Sequence, residues 1–222
     1  MTQFLALIRR DVALAFRADG GALQAASFFA LIIILFALAI GPDLKLMSAI
    51  AAPVLWTGGL LATQISLEQI YRPDKEDGSL DMLVETNGAL AGVAVAKALA
   101  HWLSTGLLLI AATPLLAFLL NIELTALGPL MLALLVGTPG LSLIGSFASA
   151  LTASLPRAGL LIAIIVSPLY APFLIFGAGA AAAGAAGDAQ FLPNLMLLGA
   201  ASLFAAAVSP LASAAALRFN LD

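Results

Sequence analysis

Residues 21–40, GALQAASFFALIIILFALAI, decide the class of fold, because this run of apolar and small residues contains no charge. A helix of this length, rising about 1.5 Å per residue, crosses the roughly 30 Å hydrocarbon core of a bilayer. The run is longer than the apolar region of a signal peptide, and further apolar segments follow it. We therefore predict an uncleaved first transmembrane helix.

The composition of the whole chain agrees with this prediction. Of its 222 residues, 63% are hydrophobic and only 9% are charged, whereas about a quarter of a soluble domain is charged. The absence of cysteine excludes disulfides and thiolate metal sites, and a single histidine excludes a site built from several histidines. The net charge of −3 argues against a nucleic-acid partner. We predict an all-α integral membrane protein, with membrane lipid as its surroundings.

Further apolar segments follow the first, and short polar turns separate most of them. The segment from about 89 to 120 is too long for one crossing, so we place its span after Lys97. The small-residue stretch 177–190 is weakly hydrophobic, which fits a loop or a re-entrant segment. We predict one transmembrane domain over residues 1–222 with six spans, at about 21–40, 47–67, 98–119, 127–154, 159–177 and 192–216.

The basic residues predict the orientation of these spans. With six spans, both termini lie on the same side as the polar segment 68–87 and the turn 154–159. Of the nine basic residues, only Lys45 falls on the other side. Because cytoplasmic loops carry an excess of Lys and Arg, we predict that both termini are cytoplasmic.

Residues 3–18 have the pattern of an amphipathic helix. Phe4, Ile8, Val12 and Phe16 recur every four residues, and three arginines lie on the other side. Such a helix lies in the membrane interface with its arginines toward lipid headgroups. A cytosolic helix that packs on a partner would show the same pattern.

No combination of residues in the chain predicts catalysis. The phosphate-binding pattern G-x-x-x-x-G-K-[ST] is absent, since the three lysines follow Leu, Asp and Ala. No carboxylate is placed to orient His101, and the core spans contain no Asp. We predict that the protein is not an enzyme and that any ATP hydrolysis belongs to a partner.

The segment 68–87, EQIYRPDKEDGSLDMLVETN, is the long polar part of the chain and has a net charge of −4. The sequence Asp-Gly-Ser at 77–79 predicts a turn, and a short amphipathic helix would follow it. Such a helix suits docking to a cytoplasmic partner, although an ordinary solvated loop has the same composition. The candidate docking residues are Glu68, Asp77, Gly78, Ser79, Leu80, Asp81, Leu83 and Glu85, with the two leucines as apolar anchors.

This segment also carries a resemblance to a known family. Leu67-Glu68, Arg72, Asp74 and the run DGSLD at 77–81 resemble the haem exporter protein B (CcmB) family. The resemblance continues over nearly the whole chain, through AKALAHW (96–102), GTPGLSLIG (137–145), SPLYAPFLIFGAGA (167–180) and SPLASAAALR (209–218).

The resemblance implies a six-helix permease of the ABC-2 type, a membrane subunit of the transporter used in cytochrome c maturation in the bacterial inner membrane. It implies that segment 68–87 contains the coupling helix. It further implies haem as a transported or handled ligand, with no firmly bound cofactor. The implied partners are an ATP-binding subunit in two copies, a second copy of the chain, a haem-handling membrane subunit, a small membrane subunit and a periplasmic haem chaperone.

Two side chains near the cytoplasmic end of the third span admit several roles. His101 is a candidate haem ligand or coupling residue, because an ionisable residue inside a membrane helix is often functional. The alternative is a structural hydrogen bond to a neighbouring helix. Lys97 is expected either to pair with Glu68 or to extend alone to the headgroups.

Two further functions stay open from the sequence. One is a permease of a different ABC-2 exporter, for lipid, drug or polysaccharide. The other is a scaffold that translocates nothing and couples ATP hydrolysis by a partner to release of the haem chaperone.

Two stripes of small residues predict close helix packing, either within one subunit or between two. These stripes are Gly58, Ala62 and Ser66, and Gly145, Ser149 and Ala153.

Overall fold

The computed structural model describes residues 2–17, 20–80, 90–155 and 158–219, and over these ranges the chain is helical with no strand. A 3-10 turn, Leu67–Ile70, follows the third helix, and a π-helical segment, Trp102–Gly106, joins two others into one continuous helix. The helices are α1 (Thr2–Ala15), α2 (Gly21–Ile40), α3 (Leu44–Ser66), α4 (Arg72–Glu76), α5 (Leu90–His101), α6 (Leu107–Leu119), α7 (Leu124–Thr152), α8 (Ala158–Ala185) and α9 (Phe191–Phe219).

Six continuous helices within the described ranges are long and apolar enough to cross a membrane. Their outer surfaces expose large apolar side chains, such as Leu115 and Phe118, as a lipid-facing surface requires. The prediction of an all-α membrane fold with six candidate spans is therefore confirmed. They are Gly21–Ile40, Leu44–Glu76, Leu90–Leu119, Leu124–Thr152, Ala158–Ala185 and Phe191–Phe219.

The helices extend beyond the spans predicted from hydropathy. The third membrane-spanning helix begins at Leu90 rather than near residue 98, and α8 continues to Ala185. Most of the stretch 177–190 is therefore helix and not a loop. Alanine is the best helix former. Gly184 also permits close packing, since a Cβ there would lie 2.3 Å from the Cβ of Pro129.

The helix α7 packs against α8 and α9 and also contacts α3 and α5. A large buried aromatic, Trp56 of α3, lies in this core. Gly137 and Gly177 make room for its ring, because a Cβ at either position would lie 2.5–2.6 Å from ring atoms. Among the described residues, the indole N–H of Trp56 finds no hydrogen-bond partner.

Both small-residue stripes pack inside this chain. A Cβ at Gly58 would lie 3.2 Å from Ile33 and Phe29 of α2. A Cβ at Gly145 would lie 2.2 Å from the side chain of Leu67. The stripes therefore let α3 approach α2, and let α7 approach the 3-10 turn.

Candidate functional site

The candidate site is Leu67 together with the described part of the polar segment, residues 67–80 in all, which we call the docking segment. It consists of the 3-10 turn, the short helix α4, a turn at Asp77 and Gly78, and the start of a helix at Ser79. The sequence prediction placed a helix only after Ser79 and missed α4. Pro73 in the first turn of α4 is a local signal for a helix start.

The turn predicted at 77–79 is present. The Asp77 side chain accepts a hydrogen bond of 2.8 Å from the backbone N–H of Ser79. Gly78 has φ of +75°, a conformation that favours glycine. Hydrogen bonds from Ser79 hold the pKa of Asp77 below its usual value, so this exposed carboxylate carries its charge at neutral pH.

The structure describes one of the two predicted anchor residues, Leu80, and leaves the other, Leu83, outside its described ranges. Leu80 is only 1% exposed and packs in the core of this chain. Its apolar surface is covered within this chain in this conformation, and its role as an anchor for a partner stays a prediction. Asp81, Leu83 and Glu85 lie outside the described residues.

Glu68 pairs with Arg72 and not with Lys97. Arg72 contacts Glu68 at 2.5 Å and Glu76 at 2.7 Å, one helical turn to either side. Both pairs are open to solvent, so they contribute little stability. Together they present two carboxylates and one guanidinium toward a groove of about 590 Å³, which the end of α7 and the start of α8 also line.

A second set of charges lies beneath the segment, and we call it the ionic cluster: the buried Asp74 and Lys97 with the partly exposed Arg10 and Asp11. Asp74 accepts a hydrogen bond of 2.6 Å from Arg10 Nη2 and one of 3.1 Å from Ser79 Oγ, and its other oxygen pairs with Lys97. Lys97 is 2% exposed, so it does not extend to the headgroups.

The ionic cluster explains the position of the N-terminal helix. α1 packs along α5, and its Arg10 and Asp11 turn inward to Asp74 and Lys97. Arg9 and Phe16 remain exposed. The prediction that all the arginines of this helix face lipid headgroups is therefore wrong for Arg10. The buried carboxylate of Asp74 needs partners, and the partly exposed Arg10 is one of them.

His101 joins three helices by hydrogen bonds. Its Nε2 lies 2.8 Å from Ser66 Oγ of α3, and its Nδ1 lies 2.9 Å from Ser142 Oγ of α7. Both ring nitrogens are therefore engaged. Coordination of a haem iron would require the ring to give up one of these bonds, because an iron ligand needs a free nitrogen lone pair.

Three members of the ionic cluster and His101 border the same open cavity of about 320 Å³. It lies among α1, the start of α2, the docking segment and the helix from α5. Lys97, Asp74 and Asp11 line one part, and His101, Ser104 and Thr105 another. The cavity therefore combines a few charged and hydroxyl groups with a largely apolar wall, and it lies next to the docking segment.

Sequence reasoning missed Arg10, Asp11 and Asp74 as members of one cluster. Two signals were available: a lysine inside an apolar stretch, and one acidic residue, Asp11, on a helix otherwise rich in arginine. A charge in such surroundings needs a partner. Neither signal says which carboxylate supplies the partner, since the helices must pack before Asp74 and Lys97 meet.

Comparison with known proteins agrees with this architecture. Over the whole chain the protein is 45% identical to "Heme exporter protein B" of Bradyrhizobium diazoefficiens, and 100% of each chain is covered. The protein of the same name from Rhodobacter capsulatus is 45% identical, covering 97% of this chain and 99% of the relative. That of Escherichia coli K12 is 38% identical, with 99% of each chain covered.

A family model for CcmB protein matches residues 2–220, which include α1, the docking segment and all six candidate spans. Sequence, fold and relatives therefore agree over the length of the chain, and the protein belongs to the CcmB family.

Proposed function

We propose that this chain is the membrane subunit of an ABC transporter that handles haem for export, and that a separate subunit hydrolyses the ATP. The observation that carries the proposal is the full-length match to proteins named "Heme exporter protein B", together with six apolar helices. Neither an exporter of lipid, drug or polysaccharide nor a scaffold without transport is favoured by this family membership.

The docking segment is the proposed contact with the ATP-binding subunit. Asp77 and Glu76 are exposed there, and the sequence adds Asp81 and Glu85 beyond them. These carboxylates would meet basic residues of the partner. Leu83 and Leu80 would supply the apolar anchors, and Leu80 would have to leave the core of this chain to do so. Glu68, Gly78 and Ser79 shape the segment. Only the part of the docking energy that differs between two states of the partner moves the membrane subunit.

The orientation follows from the charges. We place both termini and the docking segment on the cytoplasmic side of the bacterial inner membrane, with Lys45 on the periplasmic side. The proposed assembly contains two ATP-binding subunits and two copies of this chain. It also contains a haem-handling membrane subunit and a small membrane subunit, and it serves a periplasmic haem chaperone.

For His101 we propose a coupling role and not haem ligation. Its ring links α3, which leads into the docking segment, to α7 through Ser66 and Ser142. A movement of the docking segment would therefore reach α7 through this bridge. Haem would be a ligand handled by the complex, with no firmly bound cofactor on this chain.

Charge reversal in the docking region tests the proposal. The variant carries Asp81→Lys and Glu85→Lys, and the control is Glu123→Lys, an exposed carboxylate at the start of α7 on the predicted periplasmic side. The complex is purified through a tag on the membrane subunit. Co-purified ATP-binding subunit, ATP hydrolysis and holo-cytochrome c in cells are measured.

We expect the double variant to lose the ATP-binding subunit and holo-cytochrome c, while the control keeps both. Unchanged association and ATP hydrolysis in the double variant would show that the docking site lies elsewhere. Normal holo-cytochrome c in cells that lack this chain altogether would contradict the proposed function itself.

A further inference from the structure

We propose that Asp74 and Lys97 are positioning residues that join α1, the docking segment and α5 into one rigid unit. The N-terminal helix is then part of the coupling element and not only a membrane anchor. This inference rests on the proposed docking function of the segment. It adds the contacts through which a movement of the docking segment would be transmitted to the third membrane-spanning helix.

Asp74 connects three parts of the chain through one carboxylate. Its Oδ1 accepts hydrogen bonds from Arg10 of α1 at 2.6 Å and from Ser79 at 3.1 Å. Its Oδ2 pairs with Lys97 of α5. The side chain is 3% exposed, so water does not replace these contacts.

Lys97 completes the unit from the side of the third span. Its ammonium group contacts Asp11 Oδ2 at 2.9 Å and the carbonyl oxygen of Ile70 at 2.9 Å, besides Asp74. These three contacts match the three donors of an ammonium group. The Tyr71 ring lies 5.2 Å from Nζ, within the range of a cation–π contact. Lys97 is therefore fully engaged by protein groups.

Burial makes this connection stiff. Moving α1 or α5 away from the docking segment would strip a buried charge of its partner, which is strongly unfavourable. The ion pairs of Arg72 differ, because they are exposed and both partners lie inside the docking segment. The ion pairs of Arg72 therefore transmit no movement to another helix. The docking segment also contacts α7, through a hydrogen bond of 3.1 Å between Tyr71 and Ser146 and through the packing of Leu67 at Gly145.

Two adjacent arginines of α1 provide a matched test. Arg10 contacts Asp74, whereas Arg9 is exposed. We compare Arg10→Ala with Arg9→Ala in the complete complex with its ATP-binding subunit. The measurements are the amount of complex, ATP hydrolysis per complex and holo-cytochrome c in cells. We expect Arg10→Ala to lower holo-cytochrome c per complex at least about fivefold, and Arg9→Ala to leave it unchanged.

A cross-link separates rigidity from charge. The chain contains no cysteine, so Arg10→Cys with Asp74→Cys creates the only two thiols in it. We expect this variant to be impaired until a short bifunctional thiol reagent bridges the two positions, and then to recover ATP-driven activity in proteoliposomes. Recovery would show that α1 and the docking segment move together. Continued inactivity after complete cross-linking would show that they must separate, and would overturn the inference.

Folding and the proposed function are controlled separately. Asp74→Asn with Lys97→Gln removes both charges and leaves no unpaired ion between the two positions. We expect this complex to assemble with the ATP-binding subunit in normal amount yet stay impaired in holo-cytochrome c. Full activity of this variant would overturn the inference. If no ATP-binding subunit co-purified with the unaltered chain, the proposed function itself would be contradicted instead.

Discussion

Asp74 and Lys97 form an ion pair between the docking segment and the third membrane-spanning helix, with side chains that are only 3% and 2% exposed. Neither charge is isolated, because Arg10 and Asp11 of the N-terminal helix complete the cluster. Opposite charges so far from water attract strongly, and each would be costly to leave alone. The ionic cluster is therefore a polar connection of the docking segment to α1 and α5 with two buried charges at its centre.

The first prediction concerns the stability of this pair. Lys97→Met leaves Asp74 and Asp11 buried with one cation fewer, so we expect a loss of about 3–5 kcal/mol. The exposed Lys45 provides the control, and Lys45→Met should change the free energy of unfolding by less than about 0.5 kcal/mol. Thermal unfolding of the purified protein in detergent gives both values.

A double variant checks that the loss comes from the pair. Asp74→Asn added to Lys97→Met should destabilise the protein by less than the sum of the two single changes. Additive losses would mean that Asp74 and Lys97 act independently, contrary to the structure.

The second prediction concerns orientation. Lys45 and Asp77 are exposed, and the chain contains no cysteine. A cysteine introduced at either position would therefore be its single thiol. In intact cells whose outer membrane is permeable, Lys45→Cys should react with a membrane-impermeant maleimide. Asp77→Cys should react only after the inner membrane is opened. The opposite pattern would invert the topology derived from the basic residues.

The third prediction concerns His101. His101→Ala removes the partner of Ser142 and one partner of Ser66, so we expect a loss of about 1–3 kcal/mol. Holo-cytochrome c should fall because the bridge between α3 and α7 is broken. The haem absorbance of the purified complex, measured per mole of protein, should stay unchanged.

Ser142→Ala is the matched variant, because it breaks the same bridge and keeps the imidazole. We expect Ser142→Ala to lower both the stability of the protein and the amount of holo-cytochrome c, as His101→Ala does. A loss of haem absorbance in His101→Ala alone would instead assign the ring to iron ligation.

The fourth prediction concerns the packing around Trp56. An added methyl at Gly177 would lie 2.5 Å from the indole ring, and overpacking of this kind destabilises a core by about 1–3 kcal/mol. Gly177→Ala should therefore lower the thermal midpoint. At Gly128 no neighbouring atom in the described part of the chain lies within 4 Å of the added Cβ, so Gly128→Ala should be neutral or slightly stabilising.

The smaller ring of Phe supplies a further check. In a Trp56→Phe background, Gly177→Ala should do less harm than in the natural chain, because the clash is with the outer part of the indole ring. An equal loss in both backgrounds would place the strain elsewhere.

Several features of this protein follow from local sequence. Twenty uncharged residues at 21–40 are sufficient for a membrane helix. The turn at 77–79 follows from an Asp, a Gly and a Ser in order. Hydropathy placed the helix ends less well, because alanine-rich residues before 98 and after 177 continue the helices without being strongly apolar. Helix propensity and membrane hydropathy are different quantities, and the ends of α5 and α8 show the difference.

The sequence by itself determined the membrane class, the six apolar segments, the distribution of basic residues and the family resemblance, since each depends on composition or on neighbouring residues. The tertiary structure decided which charges meet. Lys97 had a candidate partner in Glu68, yet it pairs with Asp74 and Asp11, while Glu68 pairs with Arg72. The same packing covers Leu80 and brings both nitrogens of His101 to serines on other helices. These contacts join residues far apart in the chain, so they depend on how helices pack and not on local pattern.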